Sequence, residues 1–315
     1  MRSVQFSGYG GPEVLEVDEA PEPHAGNGAI RVAVRASSLP RGEMMIRSGR
    51  RREQVPATFP HRTGHDAAGV VDEVGPGVDG VRVGDEVFGL AESAGSGANS
   101  DFALLTTWAR KPPTWNWAEA TAAAGSSETS TRVLDRLGVG PGDTVLVHGA
   151  SGSVGTVAVQ LARARGAKVI GTAGPANQDY VRSLGATPTL YGDGLEDRVR
   201  EVAPAGIDAV FDCAGGALPE LIAITGDPAR VVTIADTSAP RHGVHLSHGA
   251  SPAQAAALGV PADPPARHGL TAAAQLAAQG HLRVRIAAVF PLEEVVAAAT
   301  FMEDPQITGK VILLN

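Results

Sequence analysis

Between Leu146 and Thr172 the chain reads LVHGASGSVGTVAVQLARARGAKVIGT. Seven of these residues, Gly149-Ala150-Ser151-Gly152-Ser153-Val154-Gly155, have the types and spacing to hold an anion. Glycines let a turn tighten and bring backbone N–H groups against a diphosphate, while the N-terminus of a following helix adds partial positive charge. The flanking sequence supplies the elements such a turn needs. An apolar strand, Thr144–Val147, enters it. Val154, Val157, Ala158, Leu161 and Ala162 then recur at i, i+3, i+4, i+7 and i+8, the period of an amphipathic helix. That helix stops at Gly166, and a second apolar strand runs from Lys168 to Gly171. Alone, the glycines would read as an ordinary turn. Between strand, helix and strand they read as a dinucleotide fingerprint.

The next turn bears on which dinucleotide. Sites for the unphosphorylated coenzyme usually place Asp or Glu at the end of the second strand, to hold the ribose 2′-OH. Here that end reads Gly171-Thr172-Ala173-Gly174-Pro175-Ala176-Asn177, with no acid before Asp179. A carboxylate there would repel a 2′-phosphate, so its absence favours NADPH. No arginine takes its place in the turn; Arg182, on the following helix, is the nearest cation in sequence.

Composition narrows the classes. With 315 residues, 43% hydrophobic and 19% charged, the chain has material for one large or two modest buried cores. A net charge of −8 argues against a nucleic-acid or anionic-membrane surface. Arg47, Arg50, Arg51 and Arg52 form a basic cluster that reads as a solvated loop. The start, MRSVQFSGYGG, has no apolar signal segment, and no run of 18 apolar residues occurs. Cys213 is the sole cysteine, so no intrachain disulfide forms, which fits a reducing cytoplasm.

The first part reads as β-rich. Val4–Phe6, Val14–Val17, Ile30–Arg35, Gly69–Val74, Val81–Leu90 and Phe102–Leu105 predict short strands between Gly/Pro turns, hence a small irregular antiparallel barrel. After Pro112-Pro113 two helices are expected, Trp117–Ala124 and Glu128–Leu137. Strands and helices then alternate: Thr144–Val147, Lys168–Gly171, Pro188–Tyr191, Ala209–Asp212 and Val231–Ala235 predict a parallel sheet covered on both faces. Strand Val284–Val289, helix Leu292–Met302 and strand Gly309–Leu314 close the chain. The expected division is a barrel domain over residues 1–116, rejoined by about 284–315, and a nucleotide domain over 117–283.

Gly64-His65-Asp66-Ala67-Ala68-Gly69-Val70-Val71, continuing through Glu73-Val74-Gly75 to Val83-Gly84-Asp85-Glu86-Val87, is followed by Ala124 to Leu137, Pro141-Gly142-Asp143, the glycine turn, and Thr308-Gly309-Lys310-Val311. This ordered set resembles the medium-chain dehydrogenase/reductase superfamily, in particular its zinc-free quinone oxidoreductase (zeta-crystallin-like) branch, over essentially the whole chain. The resemblance implies an α/β fold, a GroES-like β-barrel domain plus a Rossmann doubly wound parallel sheet, in a homodimer. It also implies NADPH-dependent hydride transfer to a quinone or to the C=C of an α,β-unsaturated carbonyl.

By the same resemblance, Thr129 contacts the nicotinamide half. Ser151, Gly152, Ser153 and Val154 line the pyrophosphate. Thr172, Gly174 and Asn177 surround the 2′-phosphate, and Tyr191 packs on the adenosine phosphate end. Relatives often carry a lysine near Asn177 and a tyrosine in the loop after the third barrel strand; this chain has neither, and its tyrosine position holds Met45. Met45 is therefore expected as an apolar wall of the substrate pocket. Either Arg41 or Glu43 supplies a polar contact, or water is the proton source and both side chains are surface ion-pairing residues.

Two other readings compete. A zinc-dependent alcohol or ketone dehydrogenase would use His65, but catalytic zinc also wants a thiolate early in the barrel. Ser37-Ser38-Leu39-Pro40-Arg41-Gly42 offers none, and no metal site is expected. The trio His242, His245 and His248 lies in a Pro-rich stretch and reads as polar loop. The third reading is an NADPH-binding protein without strong catalysis.

Overall fold

The computed structural model describes residues 1–53, 56–91, 97–249, 255–256 and 263–315. The chain forms two compact units, one of Met1–Gly125, Leu270–Gly280 and Val284–Asn315, the other of Ser126–Gly269 with His281–Arg283.

In the first unit, strand Ile30–Leu39 is the hub. It pairs antiparallel with Asp66–Val74 along one edge and with Lys310–Leu314 along the other. Glu86–Ala91 and Phe102–Arg110 continue the sheet, and Phe102–Arg110 pairs back onto Ile30–Ala33. This return closes a barrel filled by Ile30, Val32, Val71, Val87, Ala103 and Leu105. Closure also removes the free sheet edges that an open sheet would expose. Strand Ile286–Pro291 adds outside Lys310–Leu314. A separate three-stranded sheet places Arg2–Phe6 between Glu16–Glu19 and His61–Arg62.

The second unit holds six parallel strands in the spatial order Thr187–Thr189, Lys168–Thr172, Thr144–His148, Ala209–Asp212, Val231–Thr233, His245–Leu246. That is the doubly wound order 3-2-1-4-5-6, and its reversal lies between Thr144–His148 and Ala209–Asp212. Side chains from both strands and covering helices, Leu146, Ile170, Val210, Leu218, Leu221 and Val231 among them, form its core. The α/β class, with a GroES-like barrel and a Rossmann-type parallel sheet, is the fold the sequence implies.

Three local readings are corrected. Residues Val81–Leu90 do not form one strand: the strand starts at Glu86, because Gly84 (φ +94°) and the Asp85 carboxylate, accepting from Arg82 N at 3.0 Å, make a turn first. The two helices expected before the nucleotide turn are one, Trp117–Arg136. Gly125 does not break it; a Cβ there would lie 2.5 Å from Asp66 Oδ1, so the glycine makes room for a buried carboxylate. Val14–Val17 divides into a 3₁₀ turn, Pro12–Val14, and strand Glu16–Glu19. Among the described residues, no helix is long and apolar enough to cross a membrane.

Candidate functional site

The carboxyl ends of parallel strands at a topological reversal are where open α/β sheets bind ligands. Here those ends carry His148 and Asp212. The glycine turn leaves His148 with Gly149 in the left-handed region (φ +81°). Its start is held by one neighbour: Gly149 N donates to Thr172 Oγ1 at 3.0 Å, and Ala150 N donates to Thr172 O at 2.9 Å. Gly155, one turn into helix Ser153–Ala164, passes so close to the turn that a Cβ would sit 2.2 Å from Gly149 O.

Gly152 differs from its neighbours. Its φ is −72°, which any residue adopts, and an added Cβ would meet only Gly149 O at 3.4 Å. Nothing inside the protein requires a glycine there. It caps the helix without a side-chain hydrogen bond. A glycine at a helix N-terminus leaves room for a diphosphate against the backbone, so the residues suit a dinucleotide. Ser153 and Val154, half-buried, and Ser151, buried, complete the turn.

Thr172 was read as a phosphate contact. Its side chain is fully buried, and its hydroxyl, besides accepting from Gly149 N, lies 2.9 Å from His148 Nδ1. Burial, the dominant influence, lowers the His148 imidazole below 6.5 despite the opposing charges of Asp212 and Glu220. The Thr172 hydroxyl, joined to both Gly149 N and His148 Nδ1, holds the turn. Thr172→Val leaves Gly149 N and His148 Nδ1 unpaired and is expected to cost about 1–3 kcal/mol, read from urea unfolding. Because the folded imidazole resists a proton that the unfolded one takes, stability falls as pH drops from 6.5 through the lower folded value. His148→Asn should flatten that part of the curve.

Across the reversal, the buried Asp212 accepts from Ala214 N (3.0 Å), Gly215 N (2.8 Å) and Thr233 Oγ1 (2.7 Å). It shapes the turn beside Gly149, where a Cβ would meet Ala214 Cβ at 3.0 Å. Cys213 lies in this turn, and burial pushes its thiol well up.

At the end of strand Lys168–Thr172, Gly174 faces Tyr191: a Cβ on Gly174 would lie 3.5 Å from the Tyr191 hydroxyl. Asn177 is half-buried, and its N–H donates to Gly174 O at 3.0 Å. Gln178 Nε2 ties Ala173 O (2.6 Å) to Thr189 O (3.2 Å). Arg182 is ion-paired with Asp179. Ser151, Gly152, Ser153, Val154, Gly174, Asn177 and Tyr191 thus lie on three turns that follow adjacent strands of one sheet.

Thr129 is half-buried on helix Trp117–Arg136 and sits beside a buried ionic cluster that sequence reasoning missed. Arg132 Nη2 donates to Thr129 Oγ1 at 3.3 Å. Arg132 also pairs with Glu128 at 2.8 Å and Asp263 at 3.6 Å. Asp263 accepts from Ser247 and His245. Burial opposes its ionisation, but the His245 and Ser247 hydrogen bonds and the charges of His245 and Arg132 bring its carboxyl down to about 2. His245 is therefore held by a carboxylate within the protein. The two halves of the cluster, Glu128 to Arg132 on the helix and His245 to Asp263 beyond it, lie over 100 residues apart, so no local pattern reveals it.

In the first unit, Arg41 is exposed and donates to Ile307 O at 2.9 Å. Glu43 lies 3.7 Å from His61 Nε2. Both sit on the short helix Arg41–Arg47. A largely apolar cavity there is lined by Glu43, Met44, Arg47 and Thr63; Met45 is not among its lining residues. His65 is half-buried and precedes Asp66, which is buried and accepts from Ser38 Oγ (2.7 Å) and from Lys310. Among the described residues, no group of three or more His, Cys, Asp or Glu side chains is arranged to hold a metal.

Residues 26–109 match the family model "Alcohol dehydrogenase GroES-like domain", and residues 184–313 match "Zinc-binding dehydrogenase". A chloroplast envelope quinone oxidoreductase homolog of Arabidopsis thaliana is 34% identical over 227 residues, covering 69% of each chain. The spectinabilin polyketide synthase system protein NorB of Streptomyces orinoci is 37% identical over 217 residues, 66% of this chain, which spans only 10% of that protein. A crystal structure of an NAD-dependent alcohol dehydrogenase superposes with a TM-score of 0.81 at 28% identity, covering 100% of both chains. A quinone oxidoreductase from Pseudomonas syringae gives a TM-score of 0.77 at 27% identity, covering 100% of this chain and 99% of the other. The chain belongs to the medium-chain dehydrogenase/reductase superfamily, among its quinone oxidoreductase-like members. It is an oxidoreductase of that family.

Proposed function

We propose that this chain is a metal-free reductase that takes hydride from NADPH and delivers it to a quinone or to the C=C of an α,β-unsaturated carbonyl. The observation that carries the reading is Gly152, a glycine that no described neighbour requires, at the N-terminus of a helix that follows the first strand of the reversal. The stretch from Gly171 to Asn177 without an acid supports the phosphorylated coenzyme.

The coenzyme, when bound, supplies hydride from its nicotinamide ring. The chain's own part is to hold and aim it. Gly152, Ser153 and Val154 present backbone donors, and Thr172 and His148 fix the turn behind them. Gly174 and Tyr191 border the adenosine end. Thr129, oriented by Arg132, faces the nicotinamide half. Arg41 is engaged with Ile307 O, Glu43 lies 3.7 Å from His61, and Met45 has no proton to give; water is the proposed source of the proton that completes alkene reduction. The substrate is a small molecule, not nucleic acid or membrane, and the working form is a cytoplasmic homodimer.

The zinc-binding description matching residues 184–313 favours one other reading, a zinc-dependent alcohol dehydrogenase. NADPH oxidation against a panel of quinones and enones, with and without a chelator, separates the two. Turnover unaffected by chelator supports the proposal, and turnover lost to chelator and restored by zinc overturns it. Tight coenzyme binding with no turnover on any substrate would favour a non-catalytic binding protein.

Gly174→Asp tests the coenzyme. Gly174 has φ −66° and space for a side chain, so the variant should fold. The new carboxylate should raise the KM for NADPH far more than for NADH. Equal effects would place the 2′-phosphate elsewhere.

A further inference from the structure

Tyr191 is 59% exposed, so burial does not hold it. It nevertheless stands at a defined place, against Gly174. The loop that carries it turns through Gly192 (φ +86°) and Gly194 (φ +76°), left-handed conformations that fold three carbonyls back toward the next helix, Leu195–Val202. Arg198 of that helix gathers all three. Its Nε and Nη2 donate to Leu190 O at 3.3 and 3.2 Å, Nη2 to Gly192 O at 2.8 Å, and Nη1 to Asp193 O at 2.7 Å.

A guanidinium on a protein surface ordinarily meets a carboxylate. Here two acids of its own helix, Glu196 and Asp197, pair with Arg200 at 2.5 and 3.1 Å, and Glu201, three positions on, makes no ion pair with it among the described residues. Asp193 offers its carbonyl rather than its carboxylate. Among the described residues, no carboxylate forms an ion pair with Arg198. Three other polar side chains of this corner are engaged: Thr172 on Gly149 and His148, Gln178 on Ala173 and Thr189, Arg182 on Asp179. Arg198 therefore combines two properties. It fixes the backbone on both sides of Tyr191, and its direct partners there are carbonyl oxygens rather than a carboxylate.

From this geometry we infer that Arg198 is the positioning residue by which the chain favours a coenzyme bearing a 2′-phosphate. The inference rests on the proposal that the adenosine end lies at Gly174 and Tyr191. With the three carbonyls drawn to the guanidinium, their negative ends turn away from an anion on the Tyr191 side, and the guanidinium's charge adds attraction that salt screens. The chain would thus replace the missing cation near Asn177 with one placed behind the loop.

The test is the affinity of the full chain for NADPH, NADH, adenosine 2′,5′-bisphosphate and 5′-AMP, by calorimetry. Arg198→Met should weaken NADPH and the bisphosphate about tenfold, with NADH and 5′-AMP shifting less than about threefold. Arg198→Lys, which keeps the charge and loses the fork, should fall between, and it carries the test if the methionine variant does not fold. Added salt should weaken NADPH binding more steeply in the wild type than in Arg198→Met. A wild-type preference for NADPH that survives both variants overturns this inference alone. Equal wild-type affinity for the two coenzymes overturns the coenzyme reading, and this inference with it.

Discussion

Gly155→Ala is expected to damage the fold, and Gly152→Ala to damage coenzyme binding while sparing it. At Gly155 the new methyl would lie 2.2 Å from Gly149 O and 2.8 Å from Ala150 Cα, both backbone atoms that move only if the turn moves. Overpacking of this kind typically costs about 1–3 kcal/mol, and the unyielding neighbours put Gly155→Ala at the upper end. The turn that shifts is also the proposed anion cradle, so binding should be lost too. At Gly152 the methyl meets one atom at an ordinary 3.4 Å and the backbone needs no adjustment. Its urea midpoint should match the wild type. Its methyl enters the space a diphosphate would occupy, so NADPH affinity should fall at least about tenfold, roughly 1.4 kcal/mol. Calorimetric titration beside urea unfolding separates the two effects. An unchanged NADPH affinity in Gly152→Ala would mean that the diphosphate does not sit on this turn.

That contrast shows what the sequence could and could not convey. The glycine turn was legible because everything that defines it is local: an apolar strand, three glycines, and a helix with period-four apolar positions within 27 residues. The parallel sheet followed from the same kind of local alternation, and the barrel strands from β-formers between Gly/Pro turns. What escaped are roles set by partners distant in sequence. Gly125 resembled a helix break because Asp66, the reason for it, lies 59 positions earlier. Thr172 matched a phosphate contact by position, yet its hydroxyl is occupied by a residue 24 positions away. The sixth strand, His245–Leu246, is two residues long and too short to show alternation. Arg198 carries no motif at all; its setting comes from the Leu190, Gly192 and Asp193 carbonyls that the loop turns toward it.

The same principle makes Lys310 a site of large expected effect. It is one of three lysines in the chain, and its ammonium donates to the buried carboxylate of Asp66 from 244 positions away. Burial by itself would raise the Asp66 carboxyl, but Lys310 above all, with His65 and the Ser38 hydroxyl, holds it below 3.8. Lys310→Met keeps the apolar stem and removes the charge, leaving an acid at 2% exposure with one hydroxyl donor, Ser38, at 2.7 Å. Breaking a buried pair from one side costs about 3–5 kcal/mol, so the variant should be that much less stable at neutral pH. The pH dependence follows from the sign of the shift. In the wild type Asp66 contributes stability above 3.8, lost as pH falls through the lower folded value. In Lys310→Met burial is less opposed, the folded carboxyl rises above its unfolded value, and the deficit shrinks as acid protonates it. Urea unfolding of the variant at several pH values should therefore show the gap to wild type closing below neutrality. Asp66→Asn combined with Lys310→Met should recover most of the loss, because a neutral amide beside Ser38 needs no ammonium. A double variant as unstable as the single one would show that Lys310 acts through packing rather than through the Asp66 charge.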